Sequence, residues 1–308
     1  MSGASGFVAR ALLAAKPSSG SYVAASRLDP GIAGVEWRLS PGLSGEADWK
    51  VVLEGIDVVV HLAGRVHLPA GGDASPYFME NSDGTAKFAR DAASAGVRRF
   101  VFLSSAKVLG DESGPAPLLE SAPTCPGDPY TASKLEAERA LAALGGGMQV
   151  TVIRPPLVYG PGVRANFLAL FTAVARGVPL PLEGINNRRS LVYVENLASA
   201  IGACIESPAA AGRTYNVTDG AAVSTPQLVR AIASALGRQP RLFSIPPRLL
   251  EACGGLLGRA ETVKRLTRSL ELDDKAIRAE LRWQPPSTFE TGIGRTARWY
   301  EGRTTHPI

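Results

Sequence analysis

The first half of the chain alternates short apolar runs with helical patterns, and few folds accommodate that alternation. Strand-like runs at 22–25, 58–62, 100–103 and 150–153 are separated by helical spacing at 85–95 and 130–144. Such βαβ order predicts an α/β fold with a doubly wound parallel sheet. At 308 residues the chain has room for one large sheet domain and a smaller second portion, at roughly 100 to 200 residues per domain. After Arg154-Pro155-Pro156 the pattern turns to helices with isolated short strands at 191–194 and 214–217. The expected division is therefore a sheet domain over 1–160, with a return segment near 189–207, and a mixed α/β portion over 161–308.

At the N-terminus, Gly3-x-x-Gly6-x-x-Ala9 opens an apolar helix through Phe7, Val8, Leu12 and Leu13. Glycines there permit a tight bend and close backbone approach, and the helix start offers free N–H groups to a pyrophosphate. Taken alone, the pattern also fits an ordinary glycine-rich turn. Only Met1 and Ser2 precede it, so the strand that normally lies mid-sheet is expected to be missing. Either the start is placed late or the sheet has a central gap.

Composition narrows the functional classes. A net charge of +5 with arginines scattered through periodic segments argues against a nucleic-acid partner. Cys125, Cys204 and Cys253 are odd in number and widely spaced, which argues against a disulfide framework or a zinc site and fits a reducing cytoplasm. No run reaches the roughly 20 apolar residues of a membrane span, and the apolar stretch at 249–257 is broken by Glu251 and two glycines. Met1 leads directly into the glycine turn, which leaves no signal-peptide pattern.

Ser104-Ser105 follows the apolar run ending at Leu103, at the strand end where open α/β sheets place ligands. Tyr130 and Lys134 lie on a downstream helix, one turn apart. A tyrosine, with a pKa of about 10, exchanges protons near neutrality when a neighbouring cation favours its phenolate. Ser105 alone reads as a loop cap, and Tyr-x-x-x-Lys alone recurs by chance. Together with the glycine turn they assign Ser105, Tyr130 and Lys134 as catalytic candidates.

Gly3-x-x-Gly6-x-x-Ala9, His61-Leu62-Ala63-Gly64, Ser105, Tyr130-Thr131-Ala132-Ser133-Lys134 and Arg154-Pro155-Pro156-Leu157-Val158-Tyr159-Gly160 together resemble extended short-chain dehydrogenase/reductases of the NAD-dependent epimerase/dehydratase family. The resemblance spans nearly the whole chain and implies a Rossmann-type domain that binds NAD(P), with a nucleotide-sugar substrate. It implies Tyr130 as acid/base, Lys134 on the nicotinamide ribose, and Ser105 on the reacting sugar oxygen. Cofactor contacts are then expected from Gly3, Ser5, Gly6, Phe7, Ser26, Arg27, Leu62, Ala63, Gly64, Asn81, Tyr130, Lys134 and Pro155. Sugar or diphosphate contacts are expected from Arg65, Lys107, Asn166, Arg189 and Arg268, with Arg188 and His67 as weaker candidates. His61 is expected to be structural, and no metal site is proposed.

An acidic residue at the end of the second strand would bind the adenosine ribose, whereas arginine accommodates a 2′-phosphate. Here Ser26-Arg27 ends the run, which favours NADP(H), with NAD(H) as the other form. Family dehydratases carry an Asp-Glu pair after the residue matching Ser105; this chain has Ala106-Lys107. The segments 104–108, 154–163, 165–167 and 187–194 further resemble bacterial 4-ketoreductases of lipopolysaccharide synthesis, which make UDP-N-acetylquinovosamine from a UDP-4-keto-6-deoxy-N-acetylhexosamine. NADPH-dependent 4-keto reduction is therefore the leading expectation. A UDP-sugar 4-epimerase with tightly bound NAD is the alternative, although Leu109 departs from the tyrosine frequent there. A non-catalytic dinucleotide-binding protein is the alternative of another class, opposed by the intact triad. A homodimer through two helices is usual among such proteins.

Overall fold

The computed structural model describes residues 1–16, 19–66, 73–246, 249–250 and 260–305. His67 and Cys253 lie outside the described residues; Cys125 is exposed and Cys204 buried. The elements are α1 (Phe7–Ala15), β1 (Val23–Ser26), β2 (Glu36–Leu39), α2 (Lys50–Leu53), β3 (Val58–His61), α3 (Ser75–Tyr77), α4 (Gly84–Ser94), β4 (Arg99–Leu103), α5 (Pro129–Ala142), β5 (Gln149–Arg154) and β6 (Leu157–Tyr159). They continue as α6 (Ala165–Ala175), β7 (Leu191–Tyr193), α7 (Val194–Glu206), β8 (Thr214–Asn216), α8 (Thr225–Ala235), α9 (Ala260–Thr267), α10 (Lys275–Leu281) and α11 (Phe289–Thr305). Among the described residues no helix is long and apolar enough to cross a membrane.

All the strand pairings are parallel: β1 with β2, β3–β4–β5–β8 in one run, and β6 with β7. The expected gap between β1 and β3 is spanned by one residue. Ser2 bridges both Ala25 and His61, giving the order β2–β1–Ser2–β3–β4–β5–β8 of a doubly wound sheet. Ala25 donates to Met1 O at 2.7 Å and Ser2 N donates to Val60 O at 3.0 Å. Met1 and Ser2 thus couple the two halves of the sheet. Strand β8, read from sequence as part of the second portion, pairs with β5 and forms the far edge of this sheet.

Strand side chains alternate between faces, so Phe100 and Phe102 pack with Trp49, Phe88 and Leu141 beneath α4 and α5. Val101, Ile153 and Val60 pack on the other face with Leu12, Ile201 and Tyr215 beneath α1 and α7. A third cluster, around Tyr159, Phe171, Tyr193 and Ile293, joins α6, α8 and α11. Ser224 and Gln227 form the reciprocal cap that starts α8, as their spacing predicts.

This coupling places the α-amino group of Met1 inside the protein, where it donates to Val23 O at 2.7 Å. Burial, and then the charge of Arg38, lower its pKa from 8.0 to about 5. Between these values the unfolded chain takes up a proton that the folded chain refuses, so stability falls as pH drops from 8 to 5. Below that window the loss is complete, and above it none remains. The drop is worth about 4 kcal/mol. Urea unfolding of the chain beginning at Met1 is expected to show this rise in stability with pH, and N-terminal acetylation is expected to remove it.

Candidate active site

The carboxyl ends of β3, β4 and β5 and the first turns of α5 converge on one edge of the sheet. Beyond Leu103, Ser104 N donates to Ile153 O at 2.8 Å and Ala106 N to Pro155 O at 2.9 Å, which anchors Ser105 between them. Ser105 is half-buried and extended, and its Oγ accepts from Lys107 N at 3.3 Å. Helix α5 begins with a capping box in which Thr131 N donates to Asp128 Oδ1 at 2.8 Å and Asp128 N to Thr131 Oγ1 at 3.2 Å. Pro129 takes the first helical position, where its missing N–H costs nothing. This cap sets the position of Tyr130, and one turn later Lys134 lies on the same face.

Lys134 is buried; its Nζ donates to Leu103 O at 3.1 Å and lies 4.7 Å from the centre of the Phe102 ring. Desolvation lowers its pKa to about 8 against the raising charge of Glu138. Desolvation, then the charges of Asp128 and Tyr77, push Tyr130 up to about 12; the two rings are 6.0 Å apart. The sequence suggested a phenol lowered by Lys134. In the protein alone burial and both neighbours raise it instead, and Tyr130 stands as a neutral proton donor at neutral pH.

The predicted cofactor residues line the same edge. Gly3 has φ +71°, and a Cβ there would meet Ala63 N at 2.7 Å, so this close crossing of the turn over the end of β3 requires glycine. Helix α1 starts at Phe7 with no side-chain cap and no acidic residue in its first turn. Its first N–H groups suit an anion, which fits the pyrophosphate of a dinucleotide. Gly64 runs so close to the triad that a Cβ would meet Asn81 Oδ1 at 2.9 Å and Lys134 Nζ at 3.2 Å. Asn81 lies in a π-turn over Phe78–Asp83, a device that re-aims side chains at functional sites. Its Oδ1 accepts from Arg65 N at 2.8 Å, and its Nδ2 donates to Arg65 O at 2.9 Å and Ser133 Oγ at 3.0 Å. The loop after β3 is thereby stitched to α5 beside Lys134. His61 is buried between Ser2 Oγ at 2.6 Å and Thr85 Oγ1 at 2.9 Å. Burial, then Lys134 and the N-terminus, hold it neutral.

At the end of β1, Ser26 Oγ donates to Leu28 O at 2.6 Å, and Arg27 is exposed. A cavity of about 700 Å³ opens between α1 and α7, sharing Ser5, Gly6 and Phe7 with the glycine turn and adding Arg10, Arg164 and Glu195. It does not include the triad.

The substrate candidates divide. Arg65 is ion-paired with Glu80, Lys107 bridges Asp111 at 2.9 Å and Asp128 at 2.6 Å, and Arg268 pairs with Glu112 at 2.9 Å. Arg188 forms two hydrogen bonds to Glu271. Asn166 is exposed in the first turn of α6, after Ala165 at φ +53°. Arg189 Nη1 donates to Arg268 O at 3.0 Å. Desolvation and then the Arg265 guanidinium lower the pKa of Arg189, with Asp111 opposing. Sequence reasoning passed over Arg265, whose only signal was its place on a basic helix end. It also passed over Glu138, one turn beyond Lys134.

Asn81→Ala would remove the two side-chain hydrogen bonds to Arg65 and the one to Ser133 through which Asn81 joins the β3 loop to α5. The expected cost is about 1–3 kcal/mol of stability by urea unfolding, together with a loss of about tenfold in dinucleotide affinity, worth about 1.4 kcal/mol.

Residues 1–218 match the family model described as the NAD dependent epimerase/dehydratase family. The chain is 36% identical over 307 residues to a UDP-glucose 4-epimerase of Vibrio cholerae, covering 97% of this chain and 94% of that protein. Among solved structures, MoeE5 in complex with UDP-glucuronic acid and NAD superposes with a TM-score of 0.79 at 23% identity, covering 99% and 98% of the two chains. UDP-glucose 4-epimerase of Thermotoga maritima with UDP-glucose superposes at 0.78 with 20% identity, covering 98% of each. The fold is theirs, and on the family match this chain belongs to the NAD-dependent epimerase/dehydratase family.

Proposed function

We propose that the chain epimerises a UDP-hexose at C4 with NAD retained through the cycle. The observation that carries the reading is the convergence of Ser105, Tyr130 and Lys134 on one sheet edge beside Asn81 and Gly64, in a chain similar over almost its whole length to a UDP-glucose 4-epimerase. This reverses the ranking drawn from sequence, in which 4-keto reduction led. Dehydration needs an acid for the departing hydroxyl and a base for the carbon proton. Position 107 carries an ammonium held by two carboxylates, so that second acid/base is absent.

In this reading Ser105 holds the C4 oxygen. Tyr130, neutral in the protein alone, first gives up its own proton once Lys134 and the positive nicotinamide favour its phenolate, and then takes the proton of that oxygen as the C4 hydrogen leaves as hydride. NAD, when bound by these residues, would supply the acceptor for that hydride and its source for return to the other face of C4. Tyr130 then gives its proton back to the same oxygen. Lys134 orients the nicotinamide ribose, while Gly3, Ser5, Gly6 and Phe7 receive the pyrophosphate and Ser26, Leu62, Ala63, Gly64, Asn81 and Pro155 line the remainder. Arg189 and Arg265 receive the UDP diphosphate, with Asn166 at the α6 start and Arg268 in reserve behind Glu112.

A second reading, NADPH-dependent reduction of a UDP-4-keto-6-deoxy-N-acetylhexosamine, is favoured by one observation. Arg27 is exposed at the end of β1, where it can meet a ribose 2′-phosphate. Reduction consumes one cofactor per turnover and epimerisation consumes none. Incubation with UDP-galactose and catalytic NAD is expected to yield UDP-glucose with no net change in reduced nicotinamide. Steady NADPH oxidation with the 4-keto sugar, and no hexose interconversion, would assign the second reading. Tyr130→Phe is expected to lower turnover by about 100- to 10,000-fold while NAD binding persists.

A further inference from the structure

Between α5 and the ends of β4 and β5 lies a buried ionic cluster to which the reaction assigns no role. Ser104, Glu138 and Arg154 are all more than nine-tenths buried. Arg154 grips the Glu138 carboxylate with both ends of its guanidinium fork, Nε to Oε1 at 3.0 Å and Nη2 to Oε2 at 2.5 Å. Ser104 Oγ donates to the same carboxylate at 2.5 Å. The remaining arm of Arg154 donates to Glu120 O at 2.9 Å.

One carboxylate therefore ties together the segments that carry the chemistry. Ser104 adjoins Ser105 and follows Leu103, whose carbonyl accepts from Lys134. Arg154 adjoins Pro155, whose carbonyl holds Ala106. Glu138 shares a face of α5 with Tyr130 and Lys134 at successive turns. Two buried charges are expensive to desolvate, and apolar residues of like volume often serve stability as well or better. A cluster with this cost and this position has a use beyond holding the fold.

We propose that Glu138 is a positioning residue of the triad, locking the Lys134 turn of α5 to the end of β4 and keeping an anion one helical turn from the Lys134 ammonium. Burial drives that ammonium toward its neutral form and Glu138 opposes it. The inference rests on the proposed function for the role of Lys134 on the cofactor ribose, but its first test needs no sugar.

NAD affinity of the wild-type protein is expected to fall as pH rises through about 8. In Glu138→Gln, which keeps the shape and loses the charge, the fall should begin about one pH unit lower. Glu138→Asp, which keeps the charge, should return it toward the wild-type position. With UDP-galactose, Glu138→Gln is expected to lower kcat about tenfold with little change in KM. Should the unpaired Arg154 prevent folding, Glu138→Gln/Arg154→Gln leaves no buried lone charge and should show the same lowered limb. A wild-type pH limb in either folded glutamine variant overturns the proposal, as does an aspartate variant indistinguishable from glutamine. Failure of both glutamine variants to fold also overturns it, assigning the cluster to stability alone. A wild-type protein that binds NAD with this pH dependence but turns over no UDP-hexose would sink the proposed function and leave the role of Glu138 standing.

Discussion

The two halves of the sheet are joined through Met1 and Ser2, and the cofactor crevice depends on that junction. Met1 O accepts from Ala25, Ser2 N donates to Val60, and Ala4 N donates to Ala25 O at 3.3 Å. Ser2 Oγ then meets His61, whose other nitrogen meets Thr85 on α4. This chain of contacts runs from β1 across Ser2 to β3 and into the helix layer. It ends at Gly3, where the backbone turns over Ala63 with no room for a side chain. The geometry of the phosphate turn is therefore tied to the contacts of Met1 and Ser2 with both halves of the sheet.

Desolvation recurs as the main influence on Tyr130 and Lys134. It raises Tyr130 and lowers Lys134, so both lean toward their neutral forms in the protein alone. The opposing charges are arranged on either side: Glu138 supports the Lys134 ammonium, while Asp128 disfavours the Tyr130 phenolate. Lys107 sits on Asp128 and Asp111, placing a cation against the carboxylate that bears on Tyr130. Asp128 is also the N-cap of α5. The same carboxylate thus starts the helix and biases its tyrosine, with Lys107 tempering the bias.

Much of this was legible from residue order. The strand runs at 58–62, 100–103 and 150–153 and the helices at 85–95 and 130–144 were readable because buried parallel strands and amphipathic helices leave distinct periods. Strand β2 was not, because Glu36, Trp37 and Leu39 are exposed and Arg38 only half-buried, so no alternation marks a buried face. Strand β8 was seen as a strand but assigned to the wrong portion, since the chain leaves the sheet after β5 and returns only after α7. The positions of Ser105 at a strand end and of Tyr130 and Lys134 on one helix face were legible because each is set by local spacing. The partners of Lys107 at Asp128 and of Arg268 at Glu112 lie far apart in sequence, and nothing in the periodicity pairs them. Those arginines and lysines read as free cations until the fold supplied their carboxylates.

That pairing bears on how a sugar diphosphate is received. An ion-paired arginine meets an anion only by sharing or surrendering its carboxylate, whereas Arg189 donates to a backbone carbonyl and feels the charge of Arg265. The segment 268–272 carries this arrangement: Ser113 N donates to Ser269 O at 2.8 Å and Leu118 N to Glu271 O at 2.8 Å. Leu270 N donates to Arg188 O at 2.9 Å, and Ser190 N to Leu270 O at 2.9 Å. The loop that follows Ser105 is thus knitted to the strand edge bearing Arg189. Glu120, in the same loop, offers its carbonyl to Arg154 and so reaches the carboxylate of Glu138. Hydrogen bonds therefore run from the edge bearing Arg189, through the loop after Ser105, to the Arg154–Glu138 pair one turn beyond Lys134.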